Sequence, residues 1–202
     1  LVEYDDVVNT HRDVIYSERD KVLSGADLKS NIQSMVENEL RDIVDGFLEQ
    51  TAPENWDTQG LLRELSTILS LPPDLSDPEA IAQMSKQEIE DRLLEHAREL
   101  YDAVEGELTS DTMRTIERQL LLRAIDANWV QHLTGIENLR QGIGLQAFGQ
   151  RDPLVMYKKE GREMFESLQY RIQHDIVHTI YHMGALQNSQ QAKGKSRGRA
   201  KA

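Results

Sequence analysis

The chain has 202 residues, 39% of them apolar, few aromatics and no cysteine; this permits a buried core of one or two domains and excludes disulfides, thiolate zinc sites and cysteine nucleophiles. The formal net charge is −12, and because residues 187–202 hold five basic groups and no acid, residues 1–186 carry −17, which excludes nucleic-acid binding by the general surface. No apolar run approaches the roughly 20 residues needed to span a bilayer, the acidic start LVEYDDVV lacks the features of a secretory leader, and a first residue other than Met already in helical register reads as a piece of something larger.

Long stretches free of Gly and Pro and rich in Glu, Leu, Arg, Gln and Ala predict helix, and no alternation of apolar and polar residues predicts a strand, so the fold class is all-α. The first helix is expected over about 2–23, with Tyr4, Val7, Val8, His11, Ile15 and Val22 on or near one face, ending at Ser24-Gly25. A second follows the Asp27 cap to about 49, with Leu28, Ile32, Met35, Val36, Ile43 and Phe47 at helical spacing. After a loop over 51–60, Leu61, Leu62, Leu65, Ile68 and Leu69 mark a short helix, and the proline-rich segment Ser70 to Pro78 breaks it. Ser85 and Glu88 form a capping-box pattern that opens a helix to about 104, with Ile89, Leu93, Ala97, Leu100 and Val104 inward.

The most informative stretch runs from Asp126 to Pro153. Upstream, Met113, Ile116, Leu120, Ala124, Trp129, Leu133, Ile136 and Arg140 keep mostly to three- and four-residue gaps; then Gly142, Gly144 and Gly149 are expected to end the helix. Asp152-Pro153 restarts it, since Asp accepts from the free N–H groups of a first turn and Pro at its first position loses no bond. Leu154, Tyr157, Gly161, Met164, Phe165, Leu168, Ile172, Ile176, Ile180 and Met183 then share one face. The result is an αα-hairpin over about 109–184 whose tip carries Ile143, Leu145, Phe148 and Arg151. Two readings of that tip stand: its apolar residues face outward to touch something, or they fold back to plug the hairpin end.

Asp126-x-x-Trp129-x-x-His132-Leu133, the run Leu139 to Leu145 (LRQGIGL), and Gln150-x-Asp152-Pro153-x-x-x-Tyr157-Lys158-x-Glu160 resemble the two-helix finger of the SecA family, the ATPase motors of bacterial preprotein export. Glu3 to Val7 (EYDDV), with Asn9, Arg12, Ile15, Tyr16, Arg19 and Leu23, is similar to the start of that family's long scaffold helix. The resemblance implies a helical scaffold formed by 1–24 and 109–186, a helical wing inserted over 25–108, and a polar basic tail over 187–202, expected to be disordered. It implies a fingertip (Ile143, Leu145, Gln146, Phe148, Gln150 and Arg151) that meets the SecY channel and an unfolded preprotein. It also implies contacts to neighbouring domains from Tyr4, Asp5, Asp6, Arg12, Trp129, His132 and Arg140. ATP and Mg would belong to motor domains outside this chain, so no catalytic, cofactor or metal residue is expected here, and the location would be cytoplasmic, at the inner face of the plasma membrane. The sequence departs from the family at the tip, with Phe148 where Tyr is usual and Gln146 where a basic residue is usual. A helical adaptor or dimerisation module unrelated to export is the rival reading.

Other motifs carry less. Gly194-Lys195-Ser196 lacks the glycine that a phosphate-binding loop needs at 189, where Ser189 stands, and no strand precedes it. His174, His178 and His182 lie four apart, a spacing that chelates metal, but are expected on a solvated face. Asp5 and Asp6 diverge by about 100° around a helix, which argues against paired acid–base work. Arg140 is expected to bond the free carbonyls at its helix end. The basic tail reads either as an arm for phosphate or anionic lipid or as a linker end.

Overall fold

Apolar residues that recur every three or four positions become helices through most of the described residues. The computed structural model describes residues 2–25, 27–48, 52–146 and 152–199, with the helical backbone alone at 145, 146 and 184–199. Seven α-helices run through the described residues: α1 (Val2–Leu23), α2 (Leu28–Leu48), α3 (Thr58–Ile68), α4 (Pro78–Ala82), α5 (Lys86–Leu108), α6 (Ser110–Gln146) and α7 (Pro153–Arg199). Two 3-10 turns, Pro53–Asn55 and Pro73–Leu75, complete the elements, and no strand occurs among the described residues. The all-α class is therefore the observed one.

Local chemistry explains the helix ends. Gly25 at φ 77° closes α1 in the left-handed conformation that glycine adopts without steric cost, with Ser24 N donating to Asp20 O at 2.9 Å. Asp57 caps α3 by accepting from Gly60 N at 2.8 Å. The Ser85–Glu88 box is complete: Glu88 Oε2 accepts from Ser85 N at 2.7 Å while Ser85 Oγ accepts from Glu88 N at 3.2 Å. That carboxylate is held below its usual range by the bonds it accepts from Ser85 N and, at 2.8 Å, from Ser85 Oγ. Thr109 links α5 to α6 at φ 75°, a conformation that costs a β-branched residue energy, and its hydroxyl accepts from Thr112 N at 3.5 Å at the start of α6. Asp152 accepts from Leu154 N at 2.9 Å and opens α7 as the sequence suggests.

Two expected endings differ. Gly142 and Gly144 lie inside α6, which continues to Gln146, because each glycine costs a helix only about 1 kcal/mol relative to alanine and does not by itself break it. The backbone of α7 stays helical to Arg199, where disorder is expected from Gln187; no proline interrupts that stretch, and its Gln, Ala, Lys and Arg residues are good helix formers.

The chain forms two compact units, residues 1–28 with 116–175 and residues 29–115 with 176–202, so α6 and α7 each contribute to both. In the second unit α2 buries Ile32, Val36, Leu40, Val44 and Leu48 at strict four-residue spacing, while Met35, Ile43 and Phe47 are only half-buried. Helices α3 and α5 bury Leu61, Leu65, Ile68, Ile89, Leu93 and Tyr101. Tyr181 on α7 donates to Ala97 O at 3.0 Å, and Lys29 bonds Asp102 at 2.9 Å and Glu105 at 2.6 Å.

Gly60 is sterically required. A Cβ there would run into the Asp57 carboxylate and sit 2.7 Å from Phe47 Cε1, whereas Gly46 and Gly106 have open space. Gly60→Ala is expected to destabilise the unit by about 1–3 kcal/mol through loss of the cap and overpacking. Gly46→Ala and Gly106→Ala are expected to stabilise by about 0.5–1 kcal/mol through helix propensity. Urea midpoints of the three variants check the contrast; equal effects would contradict the packing at Gly60.

Candidate functional site

The first unit is built from α1, α6 and α7, and its contacts fix their directions. Residues 143, 136 and 128 on α6 meet residues 157, 164 and 175 on α7, so the two run antiparallel, and α1 lies along both. At the end of the hairpin Ile136, Ile143 and Tyr157 form a buried cluster, with Tyr4, Val7, Val8, Leu139, Met156 and Met164 packed around it. The rings of Tyr4 and Tyr157 stand 4.7 Å apart, and Arg140 lies over the Tyr4 ring at 5.9 Å while its Nη1 bonds Asp5 Oδ1 at 3.0 Å. Gly161 lets α1 approach α7: a Cβ there would be 3.3 Å from Val7 Cγ1.

Further along the hairpin sits an aromatic and imidazole cluster. His11 stacks on Phe165 with ring centroids 4.3 Å apart, Trp129 stacks on His132 at 5.5 Å, and Tyr16 meets Trp129 edge-on at 6.3 Å. His11 Nδ1 and His132 Nε2 share a hydrogen bond of 3.0 Å. Nδ1 of His132 is buried without a hydrogen-bond partner, so the tautomer that orphans no N–H is the one in which His132 Nε2 donates to His11. Burial pushes both imidazoles toward the neutral form, and the neighbouring His11 and Arg171 add to the effect on His132, whose pKa falls to about 4. Arg19 pairs with Asp126 at 2.9 Å, and Asn128 donates to Asp175 Oδ2 at 2.7 Å and to Ala124 O at 2.9 Å. A groove between α6 and α7 is lined by Gln131, Gly135, Met156, Met164, Glu163 and Arg171 among others.

The residues expected at the fingertip divide. Ile143 is 4% exposed and belongs to the core cluster, so it plugs the hairpin end and does not face outward, because α6 stays helical and carries it one turn beyond Leu139 onto Tyr157. Leu145 and Gln146 lie on the helical backbone of the last turn of α6, not in a loop. Phe148, Gln150 and Arg151 lie outside the described residues. Of the residues expected to contact neighbouring domains, Tyr4, Asp5, Trp129, His132 and Arg140 meet partners inside this unit. Arg140 bonds the Asp5 carboxylate, not the helix-end carbonyls expected for it. Asp6 is exposed, its carbonyl accepting from Thr10 Oγ1 at 2.8 Å, and Arg12 bonds Asn9 at 3.0 Å.

The histidine line is less solvated than expected. His174 and His178 are half-buried, His178 Nε2 is 3.7 Å from the 1% exposed Glu39 carboxylate, and exposed His182 is tied to Thr67 O at 2.9 Å. The face of α7 opposite Ile176 is packed as well, which helical spacing alone does not reveal. Helical spacing places Phe165 on the inward face of α7 and His11 on or near that of α1, but does not pair them; a polar His at an apolar position of α1 is the signal available for the pair.

Three packed helices, two of them an antiparallel hairpin with a capped second arm, define a helical scaffold that presents a hairpin end. Residues 1–184 match the family model described as SecA Wing and Scaffold domain, and the chain belongs to that family. It is 49% identical over 184 residues to the protein translocase subunit SecA of Dehalococcoides mccartyi, covering 91% of this chain and 19% of that protein. It is 42% identical over 196 residues to that of Pelotomaculum thermopropionicum (96% and 22%) and 40% identical over 185 residues to that of a Roseiflexus species (89% and 18%). The chain thus spans about a fifth of the length of the curated relatives it matches. None of the helices, among the described residues, is long and apolar enough to cross a membrane.

Proposed function

We propose that the chain is the scaffold and wing portion of a protein-translocation motor, which couples motion of nucleotide-binding domains elsewhere in a longer protein to movement of an unfolded preprotein through the SecY channel. The observation that carries this reading is the match of residues 1–184 to the SecA wing and scaffold domain. The geometry suits the task. Helix α6 has 37 residues, about 55 Å at 1.5 Å per residue, and from residue 116 on it is braced by α1 and α7, as a lever needs to be. The chain itself would hydrolyse no ATP, since ATP and Mg would be bound by the other domains. It would work at the cytoplasmic face of the plasma membrane, where the basic tail meets anionic lipid, without nucleic acid as a partner.

Phe148, in the connection between α6 and α7, is the residue proposed to grip the passing chain by apolar contact, worth on the order of 25 cal/mol per Å² buried. In the full-length protein Phe148→Leu should keep translocation, whereas Phe148→Gly removes the area and Phe148→Asp adds a charge that resists desolvation, so both should lose most of it with ATP binding intact. In vitro translocation with ATPase followed in parallel is the test. Normal translocation by the Gly and Asp variants would remove Phe148 from the mechanism and leave the hairpin a structural brace.

A further inference from the structure

The end of α6 carries two residues that do not favour a helix, Gly142 and Gly144. Arg140 to Gln146 reads Arg-Gln-Gly-Ile-Gly-Leu-Gln, and among the described residues, the helix's own backbone and the chain neighbours aside, nothing lies within 4 Å of the position a Cβ would take on Gly142 or Gly144. Packing therefore does not demand glycine at either place, and alanine would fit and strengthen the helix. What holds these turns is side-chain contact with other elements: Ile143 buried against Tyr157, and Arg140 joined to Asp5 and Tyr4. Much of that seat comes from the first two turns of α1, whose Tyr4, Val7 and Val8 pack on the same cluster.

We propose that residues 140–146 form a latched stem, helical while the start of α1 is seated on it and prone to unwind when α1 is displaced, with Asp5 and Arg140 as the positioning residues of the latch. A pull on α1 from the chain that precedes it in a longer protein would then release the hairpin end, and the two glycines set how easily the released stem unwinds. The latch is a property of this chain, and only its consequence for transport rests on the translocation reading.

Hydrogen exchange of amides 142–146 in the 202-residue chain is the test. Asp5→Arg, which turns an attraction into a repulsion at a half-exposed pair, should speed their exchange about threefold, and the swapped pair Asp5→Arg/Arg140→Asp should restore the original rate. Gly142→Ala/Gly144→Ala should slow it about tenfold or more. Exchange unchanged by Asp5→Arg, or not restored by the swap, would overturn the latch. In the full-length protein the double alanine variant should lower the translocation achieved per ATP hydrolysed. If exchange responds as stated and translocation does not, the latch stands and its role in transport falls.

Discussion

Replacing Tyr157 with alanine should cost the first unit about 3–5 kcal/mol, the range for removing a fully buried aromatic side chain. Tyr157 is 1% exposed, sits between Ile136 and Ile143 of α6, and carries the ring of Tyr4 from α1 at 4.7 Å, so its loss opens a void where three helices meet. Part of that cost is the aromatic pair itself. A cycle with Tyr4→Ala should give a coupling of about 0.5–1.5 kcal/mol. Tyr170→Ala is the control: this tyrosine of α7 is 51% exposed, and its loss should stay within about 0.5 kcal/mol. The chain has two tryptophans, one in each unit, so urea unfolding followed by Trp129 fluorescence in a Trp56→Phe background reports on the first unit alone. A cost below about 1 kcal/mol for Tyr157→Ala would mean the hairpin end is not packed as described.

Acidification should weaken the same unit well before its carboxylates titrate. His132 is 1% exposed and lies between Trp129, His11 and Phe165, and its pKa is lowered to about 4 by burial, by His11 and by the Arg171 guanidinium. Protonation would place a charge and an N–H at Nδ1 where there is no acceptor. Above about pH 6.5 both folded and unfolded chains hold this imidazole neutral, and its stabilising contribution is complete. As the pH falls from there toward 4 the unfolded chain takes up a proton that the folded chain refuses, so stability declines, by about 3 kcal/mol at most for this group. His11, also lowered by burial, acts in the same direction. Unfolding free energies at pH 7, 6, 5 and 4 should fall accordingly, and His132→Gln should flatten the slope by close to one proton. A slope identical in the variant would assign the acid sensitivity to other groups.

Much of this architecture is legible in the chain because its signals are local. Helix α3 follows from Leu61, Leu62, Leu65 and Ile68, α5 from the Ser85–Glu88 box, and α7 from Asp152-Pro153, since in each case the signal lies within a few turns of the backbone it serves. The motifs around Trp129 and the run Leu139 to Leu145 point to the SecA family because they are short and ordered along the sequence. Where the reading departs from the structure, the deciding contact is distant. Ile143 looks like a tip residue until Tyr157 and α1 supply a pocket for it, and two glycines that weaken the helix are overridden by that burial. Arg140 finds Asp5 across 135 residues and His132 finds His11 across 121, separations over which no periodicity carries information. On α2 the spacing identified the helix, but whether Met35 or Leu40, Ile43 or Val44 faced inward depended on the helices packed against it. Sequence alone determined most of the helices and the family they belong to, because propensity, caps and motifs act through near neighbours. The tertiary structure decided which face each helix buries and which charged and imidazole groups meet, because burial free energy depends on surfaces that come together only when the chain has folded.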